Sequence, residues 1–435
     1  MQYNISPEMF VGVEPKAVGV ENFLEEKLNL KWAKERDVTI APNGAMFRRD
    51  KQGFLPELME KMYTERVVFK KKSIEAKKEY QKTKDPIYKN EISRCHNIQM
   101  AKKISLNSAY GAIGNQYFRY FDVKQAEAIT LGGQLSIRWV ERDVNRFMNK
   151  ILNTTNVNYI VASDTDSIYL RLDTLVKKVC KDKTPQQITD FLDKAAEEKI
   201  QKVIDDSFKN LAVYVNAYQQ KMIMKREAIA NKGIWVAKKR YMMNVFDEEG
   251  IRFDVPKLKI MGVEAVKSST PEVCRGKIKD AIRVIMNDSE DALIKFVTEF
   301  KEVFKSLSPE EVAFPRSCNN LSKYTNSSNI YNKGTPIHVK GALIYNHNIY
   351  RHKLSAKYPI IKDGDKIKFL MLKQPNVVKD TVISFATKIP YEFDLHKYVD
   401  YDTQFEKTFT DPLRFILDSI GWKLEREATL EAFFG

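Results

Sequence analysis

From Leu55 to Tyr110 the chain is written in the rhythm of two long helices with a single break between them. The first pattern runs from about Leu55 to Tyr80, with Leu58, Met62, Val68 and Ile74 as scattered apolar positions among many lysines. The second runs from about Asn90 to Tyr110. Between them lies Lys82-Thr83-Lys84-Asp85-Pro86, a turn-like stretch whose proline cannot continue a helix. The simplest shape is an antiparallel helical hairpin with a basic face. Residues 61–110 hold 13 Lys or Arg against 5 Asp or Glu, so this stretch carries +8 of the chain's net +15. Lysines on a helix are ordinarily a solvated face, but so basic a chain usually faces a polyanion, nucleic acid before an anionic membrane.

The length of 435 residues allows about three domains at roughly 150 residues each. With 43% hydrophobic and 30% charged residues, the composition argues against disorder. No apolar run approaches the ~18–20 residues of a membrane span. The opening Met1-Gln2-Tyr3-Asn4 does not resemble a signal segment. Cys95, Cys180, Cys274 and Cys318 are far apart and form no C-x-x-C pair, which speaks against a zinc site or a disulfide framework. The five histidines show no H-E-x-x-H spacing.

Beyond the hairpin, Ala126 to Leu152 reads as an amphipathic helix with Ile129, Leu135, Trp139, Val140, Val144 and Phe147 inward. Tyr159–Ser163 and Ser167–Leu170 read as two strands around Asp164-Thr165-Asp166. Thr184, Pro185 and Gln187 form the start signal of a helix running to about Tyr218. Met222–Ile229 and Ile234–Phe246 read as strands, and Asp247-Glu248-Glu249-Gly250 as a turn into an extended run ending near Lys267. Thr270-Pro271-Glu272 has the pattern of a helix start: cap, proline, first-turn acid. A hairpin tip bearing Asp164 and Asp166 suits Mg²⁺, which takes one or two protein carboxylates plus waters and substrate phosphates. Acidic turn residues are usually only solvated turn chemistry, so that motif alone is weak.

Its context is not weak. In order along the chain stand Asn43-Gly44 through Gly53-Phe54-Leu55-Pro56 to Arg66 and Lys70; Lys103-x-x-x-Asn107-Ser108-x-Tyr110-Gly111; Asp164-Thr165-Asp166-Ser167; and Lys238-Lys239-Arg240-Tyr241. In these motifs the sequence resembles the family B DNA polymerases, most closely the replicative enzymes of T-even-type phages. Lys259-Ile260-Met261-Gly262 and the ending Leu430-Glu431-Ala432-Phe433-Phe434-Gly435 are phage-like as well. The resemblance implies an α+β right-hand polymerase fold: helical-hairpin fingers, an antiparallel-sheet palm and a mixed, mainly helical thumb. It divides the chain into an N-terminal palm segment (1–54), fingers (55–115), palm (116–267), thumb (268–428) and a clamp-binding tail (429–435).

The same resemblance assigns roles. Arg66 and Lys70, at i and i+4, and Lys103, Asn107 and Tyr110, at i, i+4 and i+7, form helix stripes that would bind the incoming dNTP. Asp166 is the essential palm ligand for Mg²⁺, two ions in a complete site, and Asp164 supports it. Ser163 replaces the usual glycine and is expected to crowd the turn slightly. Glu227 matches an acidic position of a palm strand, whereas Lys225 stands where phage relatives carry another acid. Lys238, Lys239, Arg240 and Tyr241 would grip the primer–template duplex, with Val236, Lys238 and Arg240 on one strand face and Lys239 and Tyr241 on the other. Leu430, Phe433 and Phe434 would anchor a sliding clamp. The family motif D-x-x-S-L-Y-P-S, with the other essential aspartate, does not occur in this sequence. Nor, on the resemblance, does a 3′–5′ exonuclease domain. Two expectations follow: a polymerase completed by a partner chain or a longer parent, with the isolated chain inactive, or a non-catalytic DNA- and clamp-binding fragment. The implied setting is the cytoplasm of an infected bacterium.

Overall fold

The computed structural model describes residues 1–326 and 328–424. The chain forms two compact units: residues 1–229 with 246–255, and residues 230–245 with 256 onward.

In the first unit, β1 (Phe10–Val18), β2 (Val38–Ile40) and β3 (Asn43–Arg48) make an antiparallel sheet in the order β1-β3-β2. Gly44 lies at φ +78°, and a Cβ there would stand 2.4 Å from the Glu14 carbonyl oxygen, so only glycine suits this close crossing. The long helices follow: α1 (Phe54–Thr83) and α2 (Pro86–Ile113). Lys84 turns the chain in the left-handed region at φ 57°, and the Asp85 carboxylate caps α2 by accepting from the Ile87 N–H. The buried seam of the hairpin is made by small side chains rather than by the scattered large apolar ones. Ser73, Ala76 and Cys95 are buried, whereas Leu58 and Val68 are exposed. Small side chains let two lysine-rich helices approach while their long side chains stay in water.

α3 (Val123–Leu152) is the spine of this unit. Leu135 and Trp139 enter one core with Phe23, Phe47 and Leu211. Val140, Val144, Met148 and Leu152 enter a second with Tyr159 and Phe208. The expected inward positions are thus buried at four places, while Ile129 and Phe147 only border the cores. β4 (Ile160–Asp164) and β5 (Ser167–Leu170) form a two-stranded antiparallel sheet. The capping box on Thr184 and Gln187 is present and starts α4 (Pro185–Ala195). A π-helical turn joins it to α5 (Gln201–Tyr214). The helix stops short of Tyr218 because Asn216 turns left-handed at φ 48° and donates to the Ala33 and Val38 carbonyls.

Three further strands are β6 (Ala228–Ala237), β7 (Arg240–Glu248) and β8 (Ile251–Met261), in the order β6-β7-β8. Met222–Glu227, expected as strand, lies outside the ladder. Its neighbourhood bonds to side chains instead: Gln2 accepts from the Met222 N–H and Gln201 donates to the Met224 carbonyl. The second unit packs α6 (Glu272–Asn287), α7 (Glu290–Lys305) and α8 (Ile337–Arg351) in one core with two strands of a sheet of β9 (Phe314–Ser317), β10 (Lys366–Met371) and β11 (Val382–Phe385), namely β10 and β11. Those strands pair antiparallel in the order β11-β10-β9. Pro271, not Thr270, holds the N-cap position of α6, and the buried Thr270 makes no capping bond.

Candidate active site and nucleic-acid surface

Asp164 ends β4 opposite Ser167, so the β4–β5 turn consists of Thr165 and Asp166. Thr165 adopts φ 54°, and the Asp166 N–H closes back on the Asp164 carbonyl at 2.5 Å. Ser167 donates its hydroxyl to the same carbonyl at 3.2 Å, and Thr165 donates to the Asp164 carboxylate at 3.0 Å. Asp166 is exposed at the tip and Asp164 is half-buried. Ser163 does not crowd this turn. It is an exposed strand residue opposite Ile168, with no left-handed backbone that would require glycine. Two hard carboxylate donors on a tight turn fit a divalent cation. Among the described residues, no group of three or more His, Cys, Asp or Glu is placed to hold a metal ion.

The helical hairpin sets its register with an ion pair between Glu65 on α1 and Lys102 on α2. The bond from Lys102 holds the Glu65 carboxyl below its ordinary range. Arg66 follows Glu65 on α1, and Lys103 follows Lys102 on α2. Arg66 is half-buried, and its Nε is buried without a hydrogen-bond partner. Lys103 and Asn107 are exposed, and so is Tyr110 at 44% of its surface. Lys70 is already engaged, in an ion pair with Glu249 on the β7–β8 turn. Gly111 leaves open space beside Tyr110, since a Cβ there would meet nothing within 4 Å. An open concavity of about 330 Å³ lies next to Tyr110, walled by Gly114, Val123, Ala126, Glu127 and Thr130. The motif residue Asn43 braces that wall by donating to the Lys124 carbonyl at 2.8 Å and the Glu127 carboxylate at 3.2 Å. Asn43 enters the sequence analysis only as part of a motif; its contact lies 81 residues along the chain, and no local pattern reveals it.

The Lys238-Lys239-Arg240-Tyr241 segment is not one strand with two faces. Lys238 and Lys239 are the turn between β6 and β7, with Lys239 left-handed at φ 62°. Neither is Gly, Asn or Asp, the usual hairpin-turn residues, so the turn carried no composition signal. Gly262 supports it: at φ +65° its backbone lies so close that a Cβ would stand 2.1 Å from the Lys239 carbonyl oxygen. Arg240 is drawn inward, its guanidinium 4.3 Å from the centre of the Phe415 ring and bonded to Glu264 at 2.5 Å. Tyr241 is 8% exposed and stacks on Trp235. Lys238 and Lys239 therefore stand out at an exposed tip, while Arg240 and Tyr241 shape its base. Beside Arg240 opens a concavity of about 390 Å³ whose rim includes Lys267, Arg316 and Lys407. These cations are scattered in sequence and only the fold assembles them.

Glu227 precedes β6, and its carbonyl accepts the Glu249 N–H at 2.7 Å. The adjacent Arg226 reaches Asp193 and the fully buried Asp247, and Arg252 meets both acids as well. Leu430, Phe433 and Phe434, expected as clamp anchors, lie outside the described residues. No helix among the described residues is long and apolar enough to cross a membrane.

These features fall in a known frame: the chain belongs to DNA polymerase family B, whose model matches residues 1–420. It is 30% identical to the DNA-directed DNA polymerase of Enterobacteria phage T4, over 100% of this chain and 54% of that protein. It is 32% identical to the DNA-directed DNA polymerase of Escherichia phage RB69, over 100% of this chain and 53% of that one. The DNA polymerase of Thermococcus gorgonarius is 27% identical across 96% of this chain and 45% of its own length. The chain thus spans about half the length of the curated relatives it matches.

Proposed function

We propose that this chain is the fingers, palm and thumb part of a replicative DNA polymerase, transferring a nucleotide from a dNTP to a primer 3′-hydroxyl under template direction. The observation that carries the reading is the β4–β5 turn with Asp164 and Asp166, in one compact unit with a helical hairpin bearing Arg66, Lys70, Lys103, Asn107 and Tyr110. The three cations would hold the triphosphate, Arg through a planar fork and Lys as compact charges. Tyr110 and the concavity beside it would receive the nascent base pair. Asp166 and Asp164 would hold Mg²⁺, which when bound activates the attacking hydroxyl and stabilises the leaving oxygen. The other essential carboxylate comes from a D-x-x-S-L-Y-P-S segment, in a partner chain or in a longer parent. Lys238 and Lys239 at their tip, and the basic rim of Lys267, Arg316 and Lys407, would meet duplex phosphates. Such contacts position DNA without reading its sequence.

The deciding experiment mixes the purified chain with a polypeptide that ends in D-x-x-S-L-Y-P-S and measures primer extension. Synthesis should need both. Alone, the chain should bind primer–template DNA with an affinity that falls steeply as salt rises, because neutralised phosphates release counterions. Robust synthesis by the chain alone would overturn the assignment of the missing ligand. The tail is tested separately. Deleting residues 429–435 should leave short extension intact and abolish stimulation by the cognate sliding clamp, since a few aromatic anchors carry most of such an interface.

A further inference from the structure

Among the described residues, Lys70 is the one of the cations Arg66, Lys70 and Lys103 that an acid has already taken. Its partner, Glu249, is not a loose surface side chain. The residue is left-handed at φ 55°, followed by Gly250 at φ +80°, so the pair makes the tight two-residue turn between β7 and β8. The Glu249 N–H is tied to the Glu227 carbonyl at 2.7 Å. The Gly250 N–H is tied to the Asp247 carboxylate at 3.0 Å. Asp247 is in turn clamped by Arg226 and Arg252. The turn is therefore rigid and holds the Glu249 carboxylate at a defined place. Facing it is a flexible four-carbon arm on α1. A second lysine of that helix, Lys78, brings its ammonium to within 3.3 Å of where a Cβ on Gly250 would stand, so α1 lies along this turn at two points.

We infer that Glu249 holds Lys70 in a resting ion pair that an incoming triphosphate must break, so that the β7–β8 turn acts as a gate on nucleotide binding. This inference rests on the reading of Lys70 as a triphosphate ligand. A carboxylate and a phosphate are both anions and compete for the same ammonium. Close approach of the triphosphate to Lys70 with Glu249 still in place would set two anions against each other, so the exchange is charge for charge. The pair is only part-exposed, at 45% for the Lys70 side chain and 27% for Glu249, so it is accessible to solvent and to a ligand. Half-exposed pairs of this kind shift equilibria about two- to five-fold. That is strong enough to favour the empty arrangement and weak enough for a multiply charged ligand to displace.

The test follows the Lys70 amine itself in the full chain. Lysines are acetylated with a limiting amine-reactive ester and read by peptide mass spectrometry, with the exposed Lys71 as internal reference. Wild type is compared with Glu249→Gln, which keeps the shape of the side chain and removes its charge. Magnesium tripolyphosphate serves as the probe. Without the probe, Lys70 acetylation should rise about two- to five-fold in the variant. The probe should protect Lys70 in both proteins, at a concentration about two- to five-fold lower in the variant. Unchanged acetylation would mean that no resting pair exists in solution and would overturn the inference. Increased acetylation with superimposed protection curves would also overturn it, while leaving Lys70 a triphosphate ligand. Increased acetylation with no protection in either protein would refute the role of Lys70 in nucleotide binding, and the gate with it.

Discussion

Two acidic hairpin turns, Asp164-Thr165-Asp166 and Asp247-Glu248-Glu249-Gly250, look alike as sequence and are opposite in structure. At the first, Asp166 stands exposed and the Asp164 carboxylate accepts from the neighbouring Thr165 hydroxyl. At the second, Asp247 is fully buried between two guanidiniums, and Asp193 takes up their remaining charge. The first arrangement presents the Asp166 carboxylate at the surface. The second consumes its negative charge within the protein and converts an acidic turn into a rigid bracket. Whether a carboxylate is a site or a strut depends on whether an arginine from elsewhere reaches it.

That contrast can be broken at either end. The largest effect belongs to Asp166→Ala in the complete polymerase: nucleotide addition should fall by several orders of magnitude, because a group that positions transition-state charge is gone. Its stability should stay within about 0.5 kcal/mol, as for most exposed substitutions. Near-normal extension by this variant would remove Asp166 from the site. Asp247→Ala should do the reverse at its own turn. It leaves Arg226 and Arg252 without their buried partner, and should cost about 3–5 kcal/mol of stability in urea unfolding. A loss below about 1 kcal/mol would show that water replaces the carboxylate.

Smaller effects sharpen the comparison. Gly262→Ala puts a methyl against the Lys239 carbonyl and into a left-handed backbone, which by itself costs about 1–2 kcal/mol. It should lower the melting temperature and, by displacing Lys238 and Lys239, weaken duplex binding; an unchanged salt dependence of binding would exclude those lysines from the interface. The smallest change is expected for Glu65→Gln on the basic hairpin, where the ion pair with Lys102 is partly exposed and screened by solvent. A large loss of stability would mean that the ion pair, not the small-residue seam of Ser73, Ala76 and Cys95, holds the two helices together.

Much of the architecture was legible because its causes are local. The break at Lys82–Pro86, the capping box at Thr184 and the buried positions Leu135, Trp139, Val140 and Val144 of α3 each depend on residues within a turn or two, and each stands where the pattern placed it. The errors share another cause. Lys238-Lys239 forms a turn without turn-forming residues, held in place by Gly262 just beyond the end of β8. Met222–Glu227 has the composition of a strand, yet its backbone groups are met by Gln2 and Gln201. Thr270 has the chemistry of a cap and is buried one residue too early to serve as one.

The sequence alone determined which residue types stand in which order, and with them the family, the long basic hairpin and the paired carboxylates at a strand turn. Backbone hydrogen bonding and side-chain periodicity act over a few residues, so they can be read directly. Only the tertiary structure decided which charges are spent. Lys70 meets Glu249, Arg226 meets Asp247, and Asn43 braces the helix beside Tyr110. Each is a contact between segments far apart in the chain, made because cores around α3 and the strand ladders bring those segments together. Coulomb attraction and hydrogen bonding depend on distance in space, which no spacing along the chain specifies.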